Sequence, residues 1–217
     1  MTAQALSGKR VVITRPEAQA QPFIDALVAA GAQPILFPTI QIAPIPDNAS
    51  LDSALVRLTA YDWVVFTSVN GVQVTLERMR MLNIACETLN ACHIAAIGPA
   101  TSAALIDSGI RVTLQPDEYV AEAMVDTLAK RDAIGGQKFL LLRADIARPT
   151  LREQLTAGGG LVDEIPVYQT VCGQPDPEAF AELLAPADIL CRCEQMTYSG
   201  ESGDSPLSSV GTSLPSG

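Results

Sequence analysis

The chain has 217 residues, 48% of them hydrophobic and 18% charged, which supplies a buried core and excludes a charge-rich disordered chain. Its net charge of -10 disfavours nucleic acid as a partner, because such binding rests on basic surface, but a cleft can still be locally positive for an anionic small molecule. No run approaches the ~20 apolar residues of a membrane helix, and the opening residues lack an apolar secretory core, so no membrane association and a cytoplasmic location are expected.

In chain order, an apolar run at Arg10 to Thr14 is followed by a helical period over Ala18 to Ala30 and a second run at Pro34 to Phe37, which is the pattern of a βαβ unit. Strands are then expected at Asp62 to Thr67, His93 to Ile97, Arg111 to Leu114, Lys138 to Leu142 and Val162 to Val167. The helices between and after them are expected at Asn70 to Met81, Thr101 to Ser108, Val120 to Arg131 and Thr150 to Thr156. Strands that alternate with helices imply parallel sheets covered on both faces.

An internal repeat refines this picture. A shift of 128 residues matches Gly8 to Gly136, Arg15 to Arg143, Leu27 to Leu155, Gly31 to Gly159 and Pro38 to Pro166 without a gap. Thr39 to Pro46 and Val167 to Gly173 follow the two prolines at equivalent places, and their extended character suits two crossings between domains. The expected fold class is therefore α/β, with two similar doubly wound parallel-sheet domains joined by two linker strands. Domain one is discontinuous, 1–38 with 173–217, and domain two is 39–172 with its linker strands.

A second comparison, at a shift of 126, places Asp188 to Glu194 opposite Asp62 to Ser68. The apolar strand starts there and then fails, and the residues from Thr197 are rich in Ser, Gly and Pro. Domain one is accordingly expected to be incomplete, with a disordered tail from about residue 191. A reading-frame change or recombinant junction near Ile189 or Leu190, or a divergent natural terminus, would each produce such a switch.

In open parallel sheets, ligands sit outside the carboxyl ends of the strands. Arg15, the loop Thr67-Ser68-Val69-Asn70-Gly71, the turn Gly98-Pro99-Ala100-Thr101 and Arg143 all fall there, and each suits an anion. Each residue also has a plainer role open to it. Thr67, Ser68 and Asn70 are good helix caps, Thr101 either caps its helix or meets a carboxylate, and Arg15 and Arg143 could form a salt bridge common to both repeats. Arg148 and Arg152 are expected four apart on one helical face, solvated or extending a positive surface. Tyr168 lies where the chain returns between domains, and its hydroxyl either lines a cleft or packs the junction.

His93, the single histidine, has no partner pattern and is assigned a structural role. The five cysteines show no CxxC spacing and are read as reduced thiols, and the Cys191–Cys193 pair makes a poor metal site. The motifs of dinucleotide, Walker-type nucleotide and serine-hydrolase sites are absent.

The segments ITRP, VVFTSVNGV, AAIGPATSAAL, PDEYVAEAMVDTLA, LLLRADIARPTLREQL and VDEIPVYQT, in this order, resemble the uroporphyrinogen-III synthase family over residues 8 to about 188. The resemblance implies a lyase of porphyrin biosynthesis that needs no cofactor or metal. It would close hydroxymethylbilane, a linear tetrapyrrole with eight carboxylates, into uroporphyrinogen III, with loss of water and inversion of ring D. Tyr168 is then the candidate proton donor to the departing hydroxyl, in a cleft that works mainly by positioning. Ser68, Asn70 and Thr101 would hold acetate and propionate groups, and Arg15, Arg143 and Arg148 would supply counter-charge.

The expected partners are that small molecule and hydroxymethylbilane synthase, with the chain a monomer. The second FTS-like loop implied by the resemblance is missing, so impaired activity is expected of this chain. One alternative is a non-catalytic two-lobed binding protein for an anionic small molecule. Another is a nucleotide-binding regulatory domain, which the absent phosphate loop argues against.

Overall fold

The structure, a computed structural model, describes residues 5–174, 176–184 and 189–191. Two sheets organise the chain. The smaller has three parallel strands in the order β2-β1-β9, formed by Gln33–Leu36 (β2), Arg10–Ile13 (β1) and Ile189–Cys191 (β9). The larger has six strands in the order β3-β8-β7-β4-β5-β6. These are Ile40–Pro44 (β3), Leu161–Cys172 (β8), Lys138–Ala144 (β7), Trp63–Phe66 (β4), His93–Ala96 (β5) and Val112–Leu114 (β6). All neighbours in this sheet run parallel except β3 and β8, so the sheet is mixed rather than purely parallel.

The period-2 geometry of strands explains the core. Val64, Phe66, Ile94, Ala96, Leu140 and Leu142 face one side of the larger sheet. There they pack against the helices α2 (Ala49–Val56), α3 (Val69–Met81) and α4 (Pro99–Asp107) through Leu51, Leu55, Val72, Met79 and Leu105. The alternate residues Trp63, Val65, Ala95, Phe139 and Leu141 face the other side, against α5 (Ala121–Lys130) and α6 (Thr150–Ala157) through Met124, Leu128, Leu151 and Leu155. Both faces are covered, which is why these strands read as unbroken apolar runs. On the smaller sheet, Val11, Ile13 and Ala32 pack with Leu27 of α1 (Gln21–Ala29) and with Ala20. The last described helix, α7 (Pro177–Leu184), lays Phe180 against Phe37 with ring centroids 6.1 Å apart.

The 128-residue repeat extends to backbone detail. Gly31 and Gly159 both have φ of 84°, and each ends its helix. The amide of Gln33 donates to the Lys9 carbonyl at 2.8 Å, and that of Leu161 donates to the Gln137 carbonyl at 2.8 Å. The offset of 126 for the later segment is corrected by one residue. Val11 pairs with Leu190, and its repeat partner Phe139 pairs with Trp63, which is an offset of 127. The register follows the ladder rather than the match of Asp62 to Asp188.

Other boundaries differ for identifiable reasons. The segment expected as two pieces, a strand and a returning linker, is the single twelve-residue strand β8. Its first part runs parallel to β7 and its last part antiparallel to β3. The helix α2 has no strong apolar period and was not expected, but Asn48 caps it by accepting from the Leu51 amide at 3.0 Å. Arg148 and Arg152 do not share a helical face, because α6 begins only at Thr150. Thr101 does not cap α4, since the chain turns in at Gly98 with φ of 90°, leaving Thr101 inside the first helical turn. The expected disordered tail lies outside the described residues, apart from Cys191 in β9. Among the described residues no helix is long and apolar enough to cross a membrane.

Candidate functional site

The loop after β4 turns directly into α3, and Ser68 at the junction has an extended backbone that frees its side chain to cap the helix. Its Oγ accepts from the Gly71 amide at 3.1 Å and lies 3.0 Å from the hydroxyl of Tyr168. Tyr168 comes from β8 and is 6% exposed, with its ring in the core on the α3 side of the sheet. Two of the residues singled out from the sequence are thus in direct contact, 100 positions apart in the chain. A hydroxyl pair at a helix N-terminus can pass a proton and can favour a nearby negative charge.

A cleft of about 1090 Å³ opens at the start of α3, its wall beginning at Val69, the residue after Ser68, and including neither Ser68 nor Tyr168. It is lined by Asn70, Gln73 and Val74 of α3, by Ile40 and Ile42 of β3, and by Glu17 and Gln19 in the short 3-10 turn before α1. Gln19 donates from its side-chain amide to the Asn70 Oδ1 at 2.7 Å, which links the turn after β1 to the start of α3. The cleft wall is mostly apolar and amide-bearing, and Glu17 is the charged residue among its lining.

The remaining predicted residues are distributed differently. Arg15 is exposed at the end of β1, with its guanidinium 5.7 Å from the centre of the Phe23 ring. Arg143 is buried, bonded at 2.6 Å to Glu164 and at 2.9 Å to the carbonyl of Arg148, so its charge is already answered within the fold. Arg148 is exposed in the turn before α6. Thr101 is 4% exposed in the first turn of α4. The structure therefore brings Ser68 and Tyr168 together, places Asn70 in the cleft wall, and leaves Ser68 and Tyr168 themselves, with Arg15, Thr101, Arg143 and Arg148, outside that wall.

Gln19, Gln41, Gln73 and Gln174, which border the cleft, were not singled out from the sequence. Uncharged amides carry no motif, although the spacing of Asn70, Gln73 and Val74 at i, i+3 and i+4 already put them on one helical face. His93, at the start of β5, packs its ring against Trp63 at a tilt of 35°, with centroids 4.8 Å apart. Among the described residues no group of three or more His, Cys, Asp or Glu side chains could hold a metal ion.

Comparison with known proteins gives a consistent result. The family model described as uroporphyrinogen-III synthase HemD matches residues 21–192. The uroporphyrinogen-III synthase of Synechococcus elongatus is 30% identical, over 82% of this chain and 67% of its own length. That of Chlorobaculum parvum is also 30% identical, over 84% of this chain and 73% of its own. The porphyrin biosynthesis protein HemD of Ruminiclostridium josui is 27% identical, but the matched part is 32% of its length. Among solved structures, a mutant uroporphyrinogen III synthase from Thermus thermophilus superposes with a TM-score of 0.58 at 19% identity, covering 81% of this chain and 67% of that one. The uroporphyrinogen-III synthetase of Helicobacter pylori gives 0.54 at 16% identity, covering 82% and 68%. Because the model spans most of the chain and both 30% relatives match over two thirds or more of their own length, this chain belongs to the uroporphyrinogen-III synthase family.

Proposed function

We propose that the chain cyclises hydroxymethylbilane to uroporphyrinogen III, with loss of water and inversion of ring D. The observation that carries this reading, beside family membership, is the Ser68–Tyr168 hydroxyl pair at the N-terminus of α3, the helix whose first residues Val69 and Asn70 line the 1090 Å³ cleft. In the proposed step the C–O bond of the substrate's hydroxymethyl group breaks and Tyr168 passes its proton to the departing oxygen, releasing water. Ser68 can donate a hydrogen bond to the Tyr168 phenolate left by that transfer while still accepting from the Gly71 amide. The electrophilic azafulvenium left behind is attacked by the far pyrrole within the folded substrate, the proton which that carbon loses returns to the Tyr168 phenolate, and the cleft contributes by orientation.

Ser68, Asn70 and the first amides of α3 are the proposed contacts for one carboxylate. Thr101, Arg15 and Arg148 are proposed to act where the substrate spreads over the strand ends, and Arg143 through the turn that it holds. The two sheets are proposed to belong to two lobes divided at 38/39 and 172/173. A monomeric, cytoplasmic enzyme supplied by hydroxymethylbilane synthase fits this reading. A purely non-catalytic binding role is not favoured, because the relatives over 67% and 73% of whose length the chain matches are named as synthases.

The test is the isomer ratio formed when the purified chain meets freshly generated hydroxymethylbilane, against spontaneous cyclisation to isomer I without protein. An excess of isomer III is expected. Isomer I alone would overturn the proposal.

A further inference from the structure

Burial along β8 breaks the strict alternation of a strand. Ile165 and Val167 are buried and Pro166 is exposed, as expected, but Tyr168 is buried next to Val167 and in the same core cluster. The pairing with β7 shows why. Arg143 is opposite Pro166 and Ala144 is opposite Tyr168, so Val167 is an extra residue and the strand bulges there. Bulges re-aim the side chain that follows them. Without this one, Tyr168 would point to the sheet face opposite α3, away from Ser68.

What holds the bulge lies just past the end of β7. The Asp145 amide donates to the Tyr168 carbonyl at 3.0 Å, and the Asp145 Oδ1 accepts from the Thr170 amide at 3.2 Å and from the Ile146 amide at 3.0 Å. A side-chain oxygen thus stands in for the backbone carbonyl that a longer β7 would have offered. It adds one rung to the ladder on the far side of Tyr168. The other end of the same turn is fixed where Arg143 donates to the Arg148 carbonyl at 2.9 Å.

We propose that Asp145 is a positioning residue for Tyr168, its carboxylate extending the β7–β8 ladder so that the bulge turns the tyrosine hydroxyl onto Ser68. The consequence for turnover rests on the reading of Tyr168 as the proton donor. The geometric claim does not.

The test uses the full chain carrying 3-fluorotyrosine, with the Tyr168 fluorine resonance identified by its loss in Tyr168→Phe. Ser68→Ala gives the position of that resonance without the serine bond. In Asp145→Ala the resonance is expected to move towards the Ser68→Ala position, with kcat falling roughly tenfold at unchanged KM as the donor is misaligned. In Asp145→Asn, whose amide oxygen can accept the same two bonds, resonance and rate should both stay near wild type. An unmoved resonance in Asp145→Ala overturns the proposal, and so does an Asn variant displaced as far as the Ala variant. A displaced resonance with unchanged turnover would support the positioning role and remove Tyr168 as donor.

Discussion

The hydroxyl of Tyr168 lies 3.0 Å from Oγ of Ser68, and that same oxygen caps α3 by accepting from the Gly71 amide. One serine therefore ties β8 to the first turn of a helix that walls the cleft. Tyr168→Phe removes one hydrogen bond but keeps both the ring in the core and the cap. It should cost about 1 kcal/mol of stability and lower isomer III formation roughly a hundredfold without abolishing it. Unchanged turnover, measured beside urea unfolding of the same preparation, would remove Tyr168 from the chemistry.

The ion pair of Arg143 and Glu164, 2.6 Å apart, has a nearly inaccessible arginine. Removing one member of such a pair leaves the other charge without compensation, so Glu164→Ala should lower stability by about 3 kcal/mol. The exposed pair of Arg80 and Glu77 is the contrast, and Glu77→Ala should leave the unfolding midpoint close to wild type. Equal unfolding midpoints for the two variants would contradict this account.

Alkaline titration should single out Tyr61. Burial, reinforced by its 2.7 Å bond to Asp163, pushes its phenol up to about 12. The folded value exceeds the unfolded value of about 10, so the neutral phenol stabilises the fold fully below pH ~10, and this contribution is lost as pH rises towards 12. Wild type should therefore lose stability over that window faster than Tyr61→Phe. Parallel declines in urea midpoint would refute the assignment.

Gly173 sits where the chain leaves β8, with its amide donating to the Thr39 carbonyl at 2.9 Å. A Cβ there would overlap the carbonyl of Pro38 and come within 3.0 Å of the Ile40 nitrogen, all of it backbone. Gly173→Ala should destabilise by about 1–3 kcal/mol, as overpacking commonly does. Gly135→Ala, whose nearest neighbour would be 3.9 Å away, is the matched control and should be close to neutral. Thermal melts of the two variants side by side would decide it.

Asn70 and Gln19 meet at 2.7 Å between exposed side chains. Asn70→Ala should leave stability within about 1 kcal/mol of wild type, because an exposed bond is exchanged for water. If Asn70 holds substrate, KM should rise several-fold, and an unchanged KM would place it outside the site.

The parts of the fold legible in the sequence were those governed by local physics. Buried parallel strands such as Phe139 to Leu142 announce themselves as apolar runs, and the glycines that end the repeated helices recur at the same offset. Asn48 and α2 were missed because the helix has a weak apolar face, and a cap of one residue type is ambiguous without it. The contact of Tyr168 with Ser68 could not be read from spacing, since it depends on a bulge created by pairing between β7 and β8. The same limit applies to Arg143. Its repeat equivalence with Arg15 suggested a shared anion contact, yet Glu164 on the neighbouring strand takes the buried arginine, while Arg15 lies exposed beside Phe23.

The antiparallel pairing of β3 with the end of β8 joins Ile40 to Cys172 and Pro44 to Tyr168, five rungs in all. The two chain segments that run towards the smaller sheet are thus not independent tethers but a ladder. Sliding one rail past the other would break every rung together, whereas winding the ladder about its long axis breaks none, and two-stranded ribbons are the most readily twisted of sheets. A twist of this ribbon, which leaves its rungs intact, would move the cleft wall at Ile40 and Ile42. Tyr168 forms the rung at which the ribbon enters the larger sheet, so the ladder is tied at that end to the residue whose hydroxyl faces Ser68.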